Sequence, residues 1–459
     1  MPETIHFYHT NDVHSHFDKW PRIVDFVNER KNLHSETGEE TLILDIGDHM
    51  DRWHPFTEGT HGKGNVMLLN DAGYDYVTIG NNEGITLPHE SLDELYEGAQ
   101  FKVLVANLFN LDGKRPGWAL PYAIHTTRKG TRIGMVGVTA FFEAFYSKLD
   151  WQISDPFQEL AIQLEKIKSQ TDVIVILSHL GIHDDERMAK DFPEIDVILG
   201  SHTHHILHHG KLVNNGLLCC AGKFGMFLGH VELTIDDNRS VIAKTASLYD
   251  TNEIDENASD PEWLEKIIQN GKEALNEICV DLPRPISSDW FERSELPEIM
   301  CKAVREWCDA DCALLNAGLA LDSLPKGLVT KGDIHRILPH PINPCTVLLS
   351  GSELKETLLE SRNPEWPHLQ LNGFGFRGKV LGTMVYDGIE FVCNENDQVI
   401  SILINGLPLQ REQIYKLALP DMFTFGHFFP NIHRSKTKEY HMPEFLRDVM
   451  AWKLKNMFQ

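Results

Sequence analysis

Five times within the first 210 residues, an apolar, strand-forming run stops at a short polar segment carrying a carboxylate, an amide or an imidazole. Residues 4–9 lead into Asp12-Val13-His14, and 41–46 into Gly47-Asp48. Residues 74–79 lead into Gly80-Asn81-Asn82-Glu83, 172–177 into Ser178-His179, and 196–199 into Gly200-Ser201-His202-Thr203-His204. Aliphatic and β-branched runs bounded by glycine and polar residues read as buried strands. Helical patterns alternate with them: Pro21 opens one whose Ile23, Phe26 and Val27 fall on one face, and another spans residues 156–169. Fully apolar strands alternating with helices predict an α/β layered domain.

A chain of 459 residues exceeds one ordinary core, so at least two domains are expected. From Asp250 to Glu262 there are six acidic residues and no basic one, which marks a boundary. The division expected is 1–250, an acidic linker and helix at 251–282, and a second domain at 283–459. No run of about 18 apolar residues is present to span a membrane. The N-terminus shows no basic segment followed by an apolar one, so a cytoplasmic protein without a secretory signal is expected. The eight cysteines form no C-x-x-C pair and read as buried thiols. A formal net charge of -25 argues against a nucleic-acid polymer as partner. It leaves room for a small phosphorylated ligand, because a bound dication supplies the local positive field.

Seventeen of the 24 histidines fall in the first 210 residues, which is where metal chemistry is to be sought. The strand ends supply Asp12, His14, Asp48, Asn81, His179, His202 and His204. Residues at the exits of neighbouring strands converge in space even when distant in sequence. Oxygen and imidazole donors without a thiolate suit Mn, Zn, Fe, Co or Ni in an open site. Asp48 is the candidate to bridge two such ions, which together would clamp the attacking and leaving oxygens of a phosphoryl transfer.

These five segments resemble the motifs of the calcineurin-like metallophosphoesterases. The longer stretch from His9 to His14 is similar to the 5′-nucleotidase branch, which includes UDP-sugar hydrolases and 2′,3′-cyclic nucleotide phosphodiesterases, here as a bacterial member without a signal peptide. Asp311-Cys312-Ala313-Leu314-Leu315-Asn316-Ala317-Gly318, Thr330-Lys331-Gly332-Asp333-Ile334 and Leu349-Ser350-Gly351-Ser352-Glu353-Leu354 follow in that branch's order. The resemblance implies a two-sheet α/β sandwich with flanking helices, plus a C-terminal α/β substrate domain across a cleft. It implies two divalent ions, one on Asp12, His14, Asp48 and His204, the other on Asp48, Asn81, His179 and His202, with a metal-bound hydroxide as nucleophile. It further implies a small nucleotide or phosphoester substrate, with Asn316 and Gly318 at the substrate-domain entry. An aromatic pair sandwiches the base in that branch, and Phe376 and Phe428 are the best matches here. Arg377 is the basic residue best suited to grip a phosphate.

Three departures from the pattern matter. The histidine expected after Asn81 is Asn82, and the acidic residue expected two positions beyond Glu83 is Ile85. The arginine expected after Gly318 is absent from Leu319-Ala320-Leu321, and a glycine-rich aromatic segment is replaced by Gly426-His427-Phe428-Phe429-Pro430. Asn82 can donate a hydrogen bond to a phosphate oxygen but cannot give up a proton. The expected enzyme is therefore a dinuclear phosphohydrolase with Asn82 as its catalytic side chain, biased toward pyrophosphate or cyclic substrates. The alternative is a low-turnover nucleotide- or metal-binding sensor derived from the same family. His49 and His205 are further candidates to supply the missing acid, and His205, His208 and His209 are expected on a solvated loop.

Overall fold

The computed structural model describes residues 2–371, 373–426 and 428–458; His427, in the segment that stands for the glycine-rich aromatic one, lies outside them. The chain divides into two compact units, residues 1–271 and 272–459, and the division falls inside the helix Asp260–Ala274. Among the described residues no helix is long and apolar enough to cross a membrane.

The N-terminal unit is a two-sheet α/β sandwich. One sheet has Glu3–Thr10 near its centre, with Glu40–Asp45, Tyr76–Val77 and Lys102–Leu104 following in parallel on one side, then Ala119–Leu120. On the other side Phe227–Ile235 and Val241–Asp250 pair antiparallel around the turn at Asp236 to Asn238. The second sheet runs Lys211–Val213, Gly216–Cys219, Val197–Gly200, Val173–His179, Arg132–Thr139 and Tyr122–Thr126.

Residue alternation explains the layering. Val173, Val175 and Leu177 face Phe7, Leu42, Leu44 and Val231 between the sheets. Their neighbours Ile174 and Ile176 turn outward to Leu160, Leu164 and Ile167 of the helix Pro156–Ile167 and to Met188 of the helix Ile182–Asp191. The first of these helices begins where Asp155 accepts hydrogen bonds from the amides of Phe157 and Gln158 and Pro156 occupies the first turn. On the opposite flank, the helix Trp20–Thr37 packs on the strand Glu40–Asp45 and ends at Gly38, whose φ of 73° closes the chain as only glycine does cheaply.

The C-terminal unit is built on a mixed five-stranded sheet in the order Met384–Asp387, Cys312–Asn316, Ile414–Pro420, Pro344–Ser350 and Glu439–Tyr440. Its core joins Leu314, Leu315, Val347 and Leu417 to Met300 and Val304 of the helix Glu295–Trp307 and to Val449 and Met450 of the helix Leu446–Phe458.

Candidate metal centre

All seven metal candidates lie at or just past strand ends of the N-terminal unit. Asp12 and His14 follow Glu3–Thr10, Asp48 follows Glu40–Asp45, Asn81 opens the short helix Asn81–Thr86, His179 closes Val173–His179, and His202 and His204 follow Val197–Gly200. Five of the seven, Asp12, His14, Asp48, His202 and His204, have φ between 49° and 71°. Left-handed backbone at non-glycine residues costs about 1–3 kcal/mol each and collects at functional sites.

Two groups of donors converge. Asp12, His14 and His204 form one, and Asp12, Asp48 and His179 the other, each with ligand atoms within 4.8 Å of one another. Oδ2 of Asp48 lies 3.7 Å from Nε2 of His14 and 3.5 Å from Nε2 of His179, so one carboxylate faces both histidines. Asp12 also belongs to both groups, a second bridging candidate that the sequence did not single out. Its Oδ1 is 3.5 Å from Nε2 of His204, and its carboxylate accepts the backbone N–H of His202 at 3.1 Å and Nδ2 of Asn11 at 2.8 Å.

Tautomers are set from behind. Nδ1 of His179 donates to the Ile46 carbonyl at 2.7 Å, which turns Nε2 toward Asp48. Nδ1 of His14 sits 3.3 Å from Oδ2 of Asp51, which leaves its Nε2 facing Asp12 and Asp48. The buried Nε2 of His179 and Oδ1 of Asn81 make no hydrogen bond. An orphaned imidazole nitrogen beside the Asp48 and Asp12 carboxylates fits a cation, since imidazole and carboxylate donors are what divalent ions take in open sites.

Charge follows the same pattern. Burial drives the His179 imidazole down, but the Asp48 carboxylate outweighs it and holds the ring up at about 10. Burial likewise works against protonation of His14, yet Asp51, Asp48 and Asp12 raise it overall. His202 falls to about 4 through burial and the neighbouring His179 charge. Glu83 is pushed up to about 7 by burial and by Asp48. Its two oxygens accept the amides of Asp48 (2.9 Å), Gly80 (2.8 Å) and Met50 (3.0 Å), tying two of the loops together. Asn82 aims inward: its backbone N–H and its Nδ2 each donate to Asp48, both at 2.7 Å.

A relative in Bacillus subtilis, the uncharacterized metallophosphoesterase YunD, is 46% identical over 99% of this chain and 100% of its own length. The calcineurin-like phosphoesterase family matches residues 5–205, and the 5′-nucleotidase C-terminal domain matches residues 276–428. The chain is a calcineurin-like metallophosphoesterase. It carries the 5′-nucleotidase type of C-terminal domain, and like the families it matches it is a metal-dependent phosphoester hydrolase. Bovine 5′-nucleotidase is 24% identical over 91% of this chain and 82% of its own length. In fold, a Haemophilus influenzae NAD nucleotidase aligns over 99% of this chain and 97% of its own, with a TM-score of 0.68 at 15% identity. A Thermus thermophilus 5′-nucleotidase precursor aligns over 99% and 96%, with a TM-score of 0.60 at 20% identity.

The C-terminal candidates of this metallophosphoesterase divide by burial. Phe376 is 3% exposed and stacks on His340 with ring centroids 5.1 Å apart, so it is a core residue here and offers no open face to a base. Asn316 is fully buried and its Nδ2 donates to the Leu381 carbonyl at 2.7 Å. A Cβ at Gly318 would meet the Val380 carbonyl oxygen at 2.0 Å, so glycine there serves a close approach of backbones. Arg377 and Phe428 are half-buried; Phe428 packs edge-on against Trp366. His49 is buried against Trp20 and within 3.2 Å of Nδ2 of Asn65, and His205 is exposed beside Thr203, as are His208 and His209. Asp51 and the amide-bridging role of Glu83 were missed by sequence reading, since both act through fold-dependent contacts that no local pattern announces.

Proposed function

We propose that this metallophosphoesterase acts on nucleotides and related small phosphoesters whose leaving group needs no proton, favouring pyrophosphate bonds over nucleoside 5′-monophosphates. The observation that carries it is Asn82, inward-facing and hydrogen-bonded to Asp48, where the family pattern has a histidine. In this reading Asp12, His14, Asp48 and His204 hold one divalent cation, and Asp48, Asn81, His179 and His202 the other. Bound there, the cations supply Lewis-acid polarisation of the phosphoryl group and water acidic enough to attack near neutral pH.

The chain's own residues supply position. Asp51 and the Ile46 carbonyl fix the His14 and His179 imidazoles, and Glu83 holds the Asp48 and Gly80 loops in register. Asn82 donates through Nδ2, which stabilises charge on a phosphoryl oxygen but delivers no proton to a departing alkoxide. General-acid help is typically worth about 10²–10⁴ in rate, and that is the handicap expected with a nucleoside alkoxide. A departing phosphate carries its negative charge unaided.

The test is hydrolysis by purified protein with manganese, across nucleoside monophosphates, UDP-sugars, cyclic nucleotides and bis-nitrophenyl phosphate, beside an Asp48→Asn control. Pyrophosphate substrates should lead adenosine monophosphate by at least about 10² in kcat/KM, cyclic nucleotides, which also expel an alkoxide, should share the handicap, and all activity should vanish in the control. Adenosine monophosphate as the best substrate would overturn the proposal.

A further inference from the structure

Next to His14, on the N-terminal unit itself, lies an aromatic ledge with no part in the scheme above. Phe224 is half-exposed, and its ring meets His14 edge-on with centroids 5.8 Å apart. His16 follows at 3.9 Å from Phe224, and Trp53 at 5.0 Å from His16; both are half-exposed. The ledge is anchored to the donor loops: Trp53 donates through Nε1 to the His14 carbonyl at 2.9 Å, and the Phe224 N–H donates to the Asp12 carbonyl at 2.8 Å. Phe224 has φ of 59°, between Gly222 and Gly225 with φ of 76° and 62°. A left-handed turn would take glycine or asparagine there without strain. A bulky aromatic in that conformation is a true outlier, and strain of this sort is kept where a site uses the side chain.

We propose that Phe224, with His16 and Trp53, forms a stacking subsite for a planar, uncharged ring carried on the far side of the scissile phosphate. The ligand class is a phosphoester or pyrophosphate bearing a nucleobase at that end. This deepens, and rests on, the phosphoester reading above. Stacking on aromatic faces is tolerant of base identity, so the subsite selects for a ring rather than for one base. Nζ of Lys223 lies 4.5 Å from the Phe224 ring centroid, the position a cation takes on an aromatic face. An ammonium on a flexible four-carbon stem yields that face to a stacked ring and turns to the adjoining phosphate. The subsite lies within the N-terminal unit and is independent of any base recognition in the C-terminal domain.

The experiment compares two substrates with the same bond and different ends: uridine diphosphoglucose and diuridine 5′,5′-diphosphate. Phe224→Asn removes the ring but keeps a residue at ease with positive φ, and Phe224→Tyr keeps the ring. The asparagine variant should lose roughly tenfold more kcat/KM on the two-base substrate than on the sugar substrate, mostly through KM, and the tyrosine variant should restore it. Equal losses on both would overturn the subsite and leave Phe224 as a brace for His14. If the wild type hydrolyses neither, the phosphoester reading fails on its own. Equilibrium dialysis of a methylene-bridged diuridine diphosphate against wild type and Phe224→Asn then decides the subsite, and equal binding would sink it.

Discussion

Asn82 places a carboxamide 2.7 Å from Oδ2 of Asp48 and 3.4 Å from Nδ1 of His14. A histidine at this position would present a titratable nitrogen to the same space. Ile85, half-buried four residues beyond Asn81, stands where the family pattern has an acid to orient that ring. The double substitution Asn82→His with Ile85→Asp should therefore bring in an oriented proton donor. Hydrolysis of nucleoside monophosphates should rise by about 10², while hydrolysis of pyrophosphate bonds changes by less than about threefold. Initial rates on adenosine monophosphate and a UDP-sugar measure both. Parallel changes on the two substrates would show that leaving-group protonation is not what Asn82 withholds.

Among the elements, the loops after Glu40–Asp45 and Tyr76–Val77 touch backbone to backbone. A Cβ at Gly47 would fall 2.4 Å from the Gly80 nitrogen, and one at Gly80 would fall 2.1 Å from Oδ1 of Asp48 and 2.4 Å from Cε1 of His179. Gly80→Ala must therefore push apart the Asp48 carboxylate and the His179 imidazole. The expected outcome is a folded protein with bound metal reduced at least about tenfold and kcat down by about 10² or more. Elemental analysis after dialysis and a circular dichroism melt separate that result from simple unfolding. Each metal candidate sits within a few residues of an apolar run, so local pattern was enough to nominate all seven and to locate the strands bearing them. Local pattern does not carry sheet order, and so it missed Asp51 behind His14, the place of Asp12 in both donor groups, and the left-handed Phe224. The strand expected over residues 74–79 is paired only at Tyr76–Val77. In the C-terminal unit the phenylalanines of 374–376 and 428–429 look alike in sequence, and only packing shows that Phe376 stacks on His340 inside the core.

At the scale of the whole molecule, each unit carries its own chemical handle on stability. In the N-terminal unit it is the candidate cation site, because a ligand that binds only the native state would stabilise it by about 2.7 kcal/mol at a hundredfold excess over Kd. In the C-terminal unit it is Asp421, buried just past the strand Ile414–Pro420 and accepting the Asn343 amide at 3.1 Å. Burial pushes its carboxyl up to about 7, against the pull of the Asn343 and Met422 amides. Unfolded, the same group titrates near the ordinary aspartate value of about 3.9. The native state thus binds this proton more tightly, and the stability it confers is complete below about pH 4 and lost as pH rises through about 7. A shift of about three pH units corresponds to about 4 kcal/mol at most. Asp421→Asn keeps an oxygen for the Asn343 amide and has no proton to lose, so its stability should no longer fall as pH rises through that window, where burial of His340, which holds that imidazole down to about 3, acts in the opposite sense. Hydrogen exchange of core amides in Pro344–Ser350 and Ile414–Pro420 measures this at about pH 5 and about pH 8, once intrinsic exchange rates are divided out. Manganese should slow exchange in Val173–His179 and leave the C-terminal amides as they were. A variant whose C-terminal unit still weakens with rising pH as the wild type does would remove Asp421 as the cause.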